Sequence, residues 1–530
     1  MTEVATEQTV RAPWNDVELD FRGRSLRLFR RGAEFWARLP EPDILARAEL
    51  GGAPAPSVER QVVMTTGSHH YQAYWVPGVR GNELWQLPFI YHFESRRFIP
   101  RHAVFLQPAD DPEHQARWNS NCIQCHSVAG RPGHDEAEDR FDTRTAELGI
   151  ACEACHGAAA EHVARQRNPV TRHRAEHDAE LDPTIVNPAH LSAERASEVC
   201  GQCHSYFVPR DAERWWTEGF ADSYRPGDAL DPSRHVFDYE RDLPHASDLI
   251  SSSLDSLFYA DGTIRVGGRE WNGLRRSACF EQGTPDRQLS CLSCHQLHGG
   301  SVIDQLKPAA DSDQSCQGCH ADRVANPSAH SHHSALSSGS RCVNCHMPFT
   351  TYALFKAIRS HRITRPNAIG DPGGAGAPNA CNLCHQDRNS SWSADWMKRW
   401  YPGSEAPSSD PEEPSAAAIG LLRGDAATRV IFADQLGWEP ARRVSGDASR
   451  AQLLVEALDD PYAAVRFVAH RSLTRLPGFG DFSYDFVAER RTRLARQAEA
   501  RTRLSSAPLP RELIDELIAT RDNRPIRIAE

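Results

Sequence analysis

Lysine is almost missing from this chain of 530 residues: of 60 basic residues only Lys307, Lys356 and Lys398 are lysine, and arginine carries the rest. No run of about 18 apolar residues occurs, so the sequence encodes no helical membrane span. Acidic residues outnumber basic ones, 71 to 60, and the net charge of −11 argues against nucleic acid as a partner. The segment from Met1 to Arg11 lacks the apolar stretch of an export signal. Cysteine is absent from 14 to 105. Beyond that point it is plentiful and regular.

Seven copies of Cys-x-x-Cys-His follow: Cys122/Cys125/His126, Cys152/Cys155/His156, Cys200/Cys203/His204, Cys291/Cys294/His295, Cys316/Cys319/His320, Cys342/Cys345/His346 and Cys381/Cys384/His385. This is the attachment signature of c-type haem. Two thiols bond to the porphyrin vinyl groups, and the adjacent imidazole becomes the proximal iron ligand. Zinc sites and thioredoxin-like redox pairs also use Cys-x-x-Cys, but neither needs His after every second Cys. With 25 His among 530 residues, chance would place His after all seven pairs with a probability of about 10⁻⁹. The expected cofactors are therefore seven c-type haems. Fourteen of the 15 cysteines are used, which leaves Cys279. A GC-rich genome is the better account of the arginine bias, which also suits pairing with haem propionates.

The expected fold is mixed. Residues 14–105 hold short alternating bursts, such as Val17–Phe21, Leu26–Phe29, Gln61–Met64 and Phe89–Phe93. Turn residues separate them, among them Gly23, Gly32, Pro77-Gly78 and Gly81-Asn82. They read as a small antiparallel β module. Its Trp36, Tyr71, Tyr74, Trp75 and Trp85 could fill its core or pack on a haem face. Residues 106–400 form a loop-rich, haem-cored domain with short helices. A Gly/Pro-rich stretch, Pro366 to Pro378, separates its last motif. A linker at 401–415 leads to an α-helical region at 416–530. There Asp460-Pro461 reads as a helix start, and Val465, Val468, Ala469, Leu473 and Leu476 share one face. The pattern from Leu453 to Ala469 resembles a HEAT-type repeat, with a degenerate copy at 419–436.

Function turns on the second axial position of each iron. A second His makes an electron carrier; an open position permits substrate reduction. Eighteen His remain after the seven proximal ones, so supply decides nothing. The leading distal candidates are His69, His70, His162, His298, His330, His332, His333 and His361. His173, His177, His190, His235 and His245 rank below them. His162 and His298 lie too near their own motifs to complete the same haem, so each would reach a neighbour. Cys279 is a weak candidate for a catalytic thiolate, and a small buried hydrophobe is its ordinary role.

Two stretches resemble the multihaem cytochrome c superfamily, which includes pentahaem nitrite reductases, tetrahaem cytochromes of nitrifying bacteria and octahaem oxidoreductases. They are Cys152 to Gly157 with His162, and Cys342 to Pro348 followed by Ser360-His361-Arg362-Ile363-Thr364-Arg365-Pro366. The resemblance spans about 120–390 and implies that His361 is a distal ligand. The Cys-x-x-Cys-Lys that marks many nitrite reductase catalytic haems is absent. The expected function is electron transfer outside the cytoplasm, in the periplasm, with a redox partner protein docking on the helical region. That location implies an export signal trimmed from the sequence or hidden by a misassigned start. The alternative is an oxidoreductase reducing a nitrogen or sulfur oxyanion at one open haem, the haem on Cys291 and Cys294 being the first candidate. A third reading, haems as a purely structural core, is the weakest.

Overall fold

The computed structural model describes residues 2–21, 24–47, 55–109, 111, 115–177, 181–219, 223–249, 254–301, 303–366, 376–404 and 412–528. Gly23, most of the Pro366–Pro378 stretch and the middle of the 401–415 linker lie outside them. The chain gathers into two units. One comprises Met1–His102, Pro112–Val236 and Ser290–Leu292; the other comprises Ala103–Asp111, Phe237–Leu289 and Ser293–Glu530. The motif-bearing stretch contributes to both.

In the first unit, antiparallel strands do build the N-terminal module. One sheet runs Thr2–Val4, Met64–Thr66, Tyr71–Pro77, Phe89–His92, Arg97–Pro100, with Leu84–Gln86 also on Tyr71–Pro77. The other runs Val17–Phe21, Arg24–Arg31, Glu34–Pro40, Ser57–Gln61. The period of two places Leu26, Leu28, Phe35, Ala37 and Leu39 inside, while Arg27, Trp36 and Arg38 face outward. Trp14 anchors the core, meeting Tyr74 edge-on at 4.7 Å and Phe35 at 5.7 Å between ring centres. Tyr74, Trp75 and Trp85 are buried as expected, but Trp36 lies under the Arg31 guanidinium on the outer face. The module also begins earlier than residue 14. Thr2–Val4 pairs with Met64–Thr66, a strand too short and polar to show in the sequence.

After the module this unit turns to short helices and hairpins, including Ala193–Gly201 and Ala212–Glu218. Ser192 caps the first by accepting from the Arg195 amide, and Asp211 caps the second by accepting from that of Arg214.

The second unit contains the helices Ala426–Leu436, Ala448–Glu456, Ala463–Leu473, Arg490–Thr502 and Arg511–Ala519. Val465, Val468, Ala469, Leu473 and Leu476 are all buried. The helix start differs from expectation. Helical backbone begins at Ala463, two residues after Pro461, and Asp460 accepts from the Tyr462 amide at 2.9 Å in the turn before it. Its carboxylate takes a bidentate pair from Arg429 at 2.7 and 3.1 Å, and both side chains are 1% exposed. Burial alone would raise this carboxyl, but Arg429 and Arg521 outweigh it and hold it below the ordinary 3.8.

The helical tail is fastened to the rest of this unit. Arg265 donates to Asp425, with both side chains buried. Leu106 and Ile528 exchange backbone hydrogen bonds at 2.9 and 3.2 Å. Ser445 Oγ donates to the Cys384 carbonyl and accepts from the Gln386 amide, each at 2.9 Å. The tail thus braces the seventh Cys-x-x-Cys-His.

Two predictions follow from these contacts. Arg429→Met leaves the buried Asp460 carboxylate with the Tyr462 amide at 2.9 Å and Arg521 at 3.6 Å, and should destabilise the protein by about 3 kcal/mol in denaturant unfolding followed by circular dichroism. The stability that Asp460 contributes is complete above the ordinary carboxyl value and is lost as pH falls through its lower folded value, so the wild-type advantage should shrink below about pH 4. Proteolytic nicking between 402 and 414 should leave the two fragments associated through size-exclusion chromatography, because the fastening contacts named above lie outside that linker.

Candidate functional site

Each Cys-x-x-Cys-His lies on or at the end of a helical turn. The turns are Ile123–His126, Glu153–His156, Ala193–Gly201, Cys291–Cys294, Gln314–Ala325, Cys342–His346 and Ala380–Cys384. Residues three apart on a turn share a face, so both thiols point the same way. In three motifs the His amide closes the turn onto the first Cys carbonyl: His156 on Cys152 at 3.0 Å, His204 on Cys200 at 2.9 Å and His385 on Cys381 at 2.8 Å. Gly157 then adopts φ +76, a left-handed value that lets the chain leave the second motif sharply. In the fifth motif His320 interrupts the helix with φ −122 and ψ 44.

The imidazoles are oriented by backbone carbonyls. Nδ1–H donates to Val186 O from His156 at 2.7 Å, to Asp304 O from His295 at 3.0 Å and to Thr364 O from His346 at 2.8 Å. A carbonyl accepts only, so it fixes the proton on Nδ1 and leaves Nε2 with its lone pair. A contact of this kind on the far ring nitrogen orients metal-bound His. Nδ1 of His126 is buried without a partner among the described residues, and burial pushes this imidazole down to about 4. Burial likewise lowers His330, aided by His346, and His385, aided by His333. All three are held toward the neutral, ligating form.

Three of the His candidates face proximal His residues. Ring centres are 6.3 Å apart for His295 and His361, 6.0 Å for His330 and His346, and 6.2 Å for His333 and His385. Two imidazole nitrogens each about 2 Å from one metal, with ring centres roughly 1 Å further back, give roughly this spacing. His361 and His333 also have Nδ1 tied, to Arg359 O at 3.1 Å and Ser331 O at 2.6 Å. The residues present therefore fit a haem between each pair.

The remaining candidates are placed differently. His332, in a left-handed conformation, stacks on Trp400 at 4.8 Å. His162 meets Asp182 Oδ2 at 3.0 Å, and hydrogen bonds from Thr184, Gln166 and His162 hold that carboxyl well below its usual range despite burial. His69 is exposed in a hairpin turn against Ser68 Oγ, with His70 beside it; His298 is exposed. His173 and His177 pair with each other, 4.0 Å between ring centres. Cys279 is within electrostatic reach of Cys319, and burial raises its thiol. A raised thiol is poor in thiolate, so it lacks the activation a nucleophile needs.

Sequence reasoning missed the clasps around the motifs. Arg359 donates to the Val343 and Met347 carbonyls at 2.8 and 3.0 Å and to Asn344 Oδ1 at 2.7 Å, gripping the sixth turn. Asp313 accepts from the Cys342 amide at 3.0 Å. These are single polar residues without a spacing rule. The only hint was that Arg359 immediately precedes the Ser360-His361 pair.

Two families match the chain: a doubled CXXCH motif at residues 284–325, and cytochrome c554 and c-prime at 92–157. The second match starts inside the β module, ahead of the expected haem boundary at 106. The multiheme cytochrome MtrA of Shewanella baltica (strain OS185) is 24% identical over 209 residues, 38% of this chain and 53% of that protein. The chain thus spans about half the length of this curated relative. No solved structure matches. In its doubled-motif and c554 matches, its similarity to MtrA and its seven motifs on helical turns, the chain is similar to multihaem c-type cytochromes.

Proposed function

We propose that the chain binds seven c-type haems and carries electrons along them outside the cytoplasm. A bound haem supplies an iron that changes between ferric and ferrous states. The observation that carries the reading is the set of imidazole pairs at 6.0–6.3 Å. In this reading His295 with His361, His346 with His330, and His385 with His333 are axial pairs. His126, His156, His204 and His320 are the other proximal ligands. His69, His70, His162 and His298 remain distal candidates for those four, and His162 is the best oriented because Asp182 holds its Nδ1. Two fixed imidazoles keep an iron six-coordinate in both redox states, which suits electron transfer. The relative's printed name, a multiheme cytochrome, supports the same reading. No helix among the described residues is long and apolar enough to cross a membrane. The HEAT-like character of the tail, its role as the docking surface for a redox partner, and the kinship with nitrite reductases belong to this proposal as well.

One observation favours a second reading, reduction of a nitrogen or sulfur oxyanion. Cys319 and His320 are exposed, and among the described residues no imidazole faces His320 at the paired spacing. The fifth motif, with Cys279 nearby, replaces the fourth as the candidate open site, because His361 faces His295.

Mass spectrometry of protein purified from its host should show the polypeptide plus seven haem masses; four or fewer would overturn the array. Electron paramagnetic resonance of the oxidised protein should be dominated by low-spin ferric signals. A large high-spin signal displaced by nitrite, hydroxylamine or tetrathionate would favour the second reading. Changing His361 to Ala should convert about one haem equivalent from low spin to high spin with all haems still attached, and His332→Ala should convert none. Equal effects from the two would remove the pairing assignment.

A further inference from the structure

Chain order and spatial order of the motifs part company in the first unit. The Gln202 side chain, inside the third motif, donates to the carbonyl of Ala154, inside the second, at 2.8 Å. The amide of Cys291, first residue of the fourth motif, donates to Ser197 Oγ at 3.2 Å, one turn before Cys200 on the same helix. The thiols agree. The Cys203 thiol lies beside that of Cys125 in the first motif, and the Cys200 thiol beside that of Cys291 in the fourth. Cys155 of the second motif lies within electrostatic reach of both Cys200 and Cys203. The buried Arg234 locks the meeting point by donating to the Gln202 carbonyl at 2.5 Å, its guanidinium among the rings of Phe207, Trp215 and Tyr224.

We infer that the third motif, Cys200 to His204, is a hub on which the first, second and fourth motifs converge, so that the second is a side branch. The inference rests on the proposed haem attachment. The chemistry of the linkage makes it consequential: in a thioether only one vinyl-derived carbon separates sulfur from the porphyrin edge. Two such sulfurs in contact bring two ring edges together. In the second unit the motifs instead follow chain order. The Cys316 thiol lies beside that of Cys342, and Cys345 lies in reach of Cys381 and Cys384. A branch lets one haem store an electron without blocking passage between the others.

The test is a redox titration of the seven-haem holoprotein, monitored by electron paramagnetic resonance, compared with His204→Met and His156→Met. Each variant keeps both cysteines and alters one iron's potential. Haems in contact feel each other's charge. His204→Met should therefore displace the midpoints of three other haems, and His156→Met only one. Cys200→Ala/Cys203→Ala, which removes the third haem, should narrow three spin-coupled signals and serves if a Met variant misfolds. Equal numbers displaced by His204→Met and His156→Met in a seven-haem protein would overturn the hub alone. A holoprotein whose mass lacks haem on the third motif would overturn the hub and the proposed function together.

Discussion

The constraint on which the site depends is the fixing of imidazole rings by their Nδ1 atoms. A neutral imidazole has one donor and one acceptor, and its tautomer follows the partner. When Nδ1–H meets a backbone carbonyl, as in His156, His295 and His346, Nε2 is left as a lone pair aimed along a set direction. The carbonyls come from residues 9 to 30 positions away, so the loops between motifs act as ring holders and not as spacers. That explains why a region with so little regular structure is specific: its hydrogen bonds are spent on orienting ligands.

The same logic separates the roles within the cluster at 330–333. Its three imidazoles lie within four residues of chain, yet they go to three different places. His330 faces His346, His333 faces His385, and His332 stacks on Trp400. The division follows from the backbone. The helix Pro327–Ser331 ends at His332, which takes φ +57, so consecutive side chains fan out in place of stacking on one helical face. One short segment thereby ties the sixth and seventh motifs into a common rigid frame. The tail adds a second brace through Ser445 and Gln386.

Much of this was legible in the sequence, and the boundary of legibility is physical. The attachment residues obey a fixed local spacing, because both thiols and the imidazole must reach one porphyrin from one turn of helix. The β module showed as a period of two in Leu26, Leu28 and their neighbours, and the tail as helical spacing at Val465 to Leu476. The Asp460 role was not legible, since a carboxylate before Pro461 has the same local signature whether it caps a helix or pairs with Arg429 across the fold. Nor was the position of Cys279. Proximity in sequence pointed to the fourth motif; its thiol, on the turn Ala278–Glu281, is also in reach of Cys319 of the fifth. Distal ligands are the extreme case. His361 lies 66 positions beyond His295, and no local pattern encodes so remote a pairing.

What local patterning cannot encode, packing of the motif turns can. Each turn presents two thiols, and polar clasps between turns set which motifs lie side by side. Gln202 clasps Ala154, Ser197 clasps Cys291 and Asp313 clasps Cys342. These are neutral or singly charged hydrogen bonds of about 3 Å, each worth on the order of 1 kcal/mol, too weak to hold a fold individually. Their effect is selective. In the proposed array, with each porphyrin covalently fixed to its own turn, small preferences between turns would suffice to choose which porphyrin edges meet. The connectivity of the proposed electron path would thus be set by a few polar side chains that contact no iron.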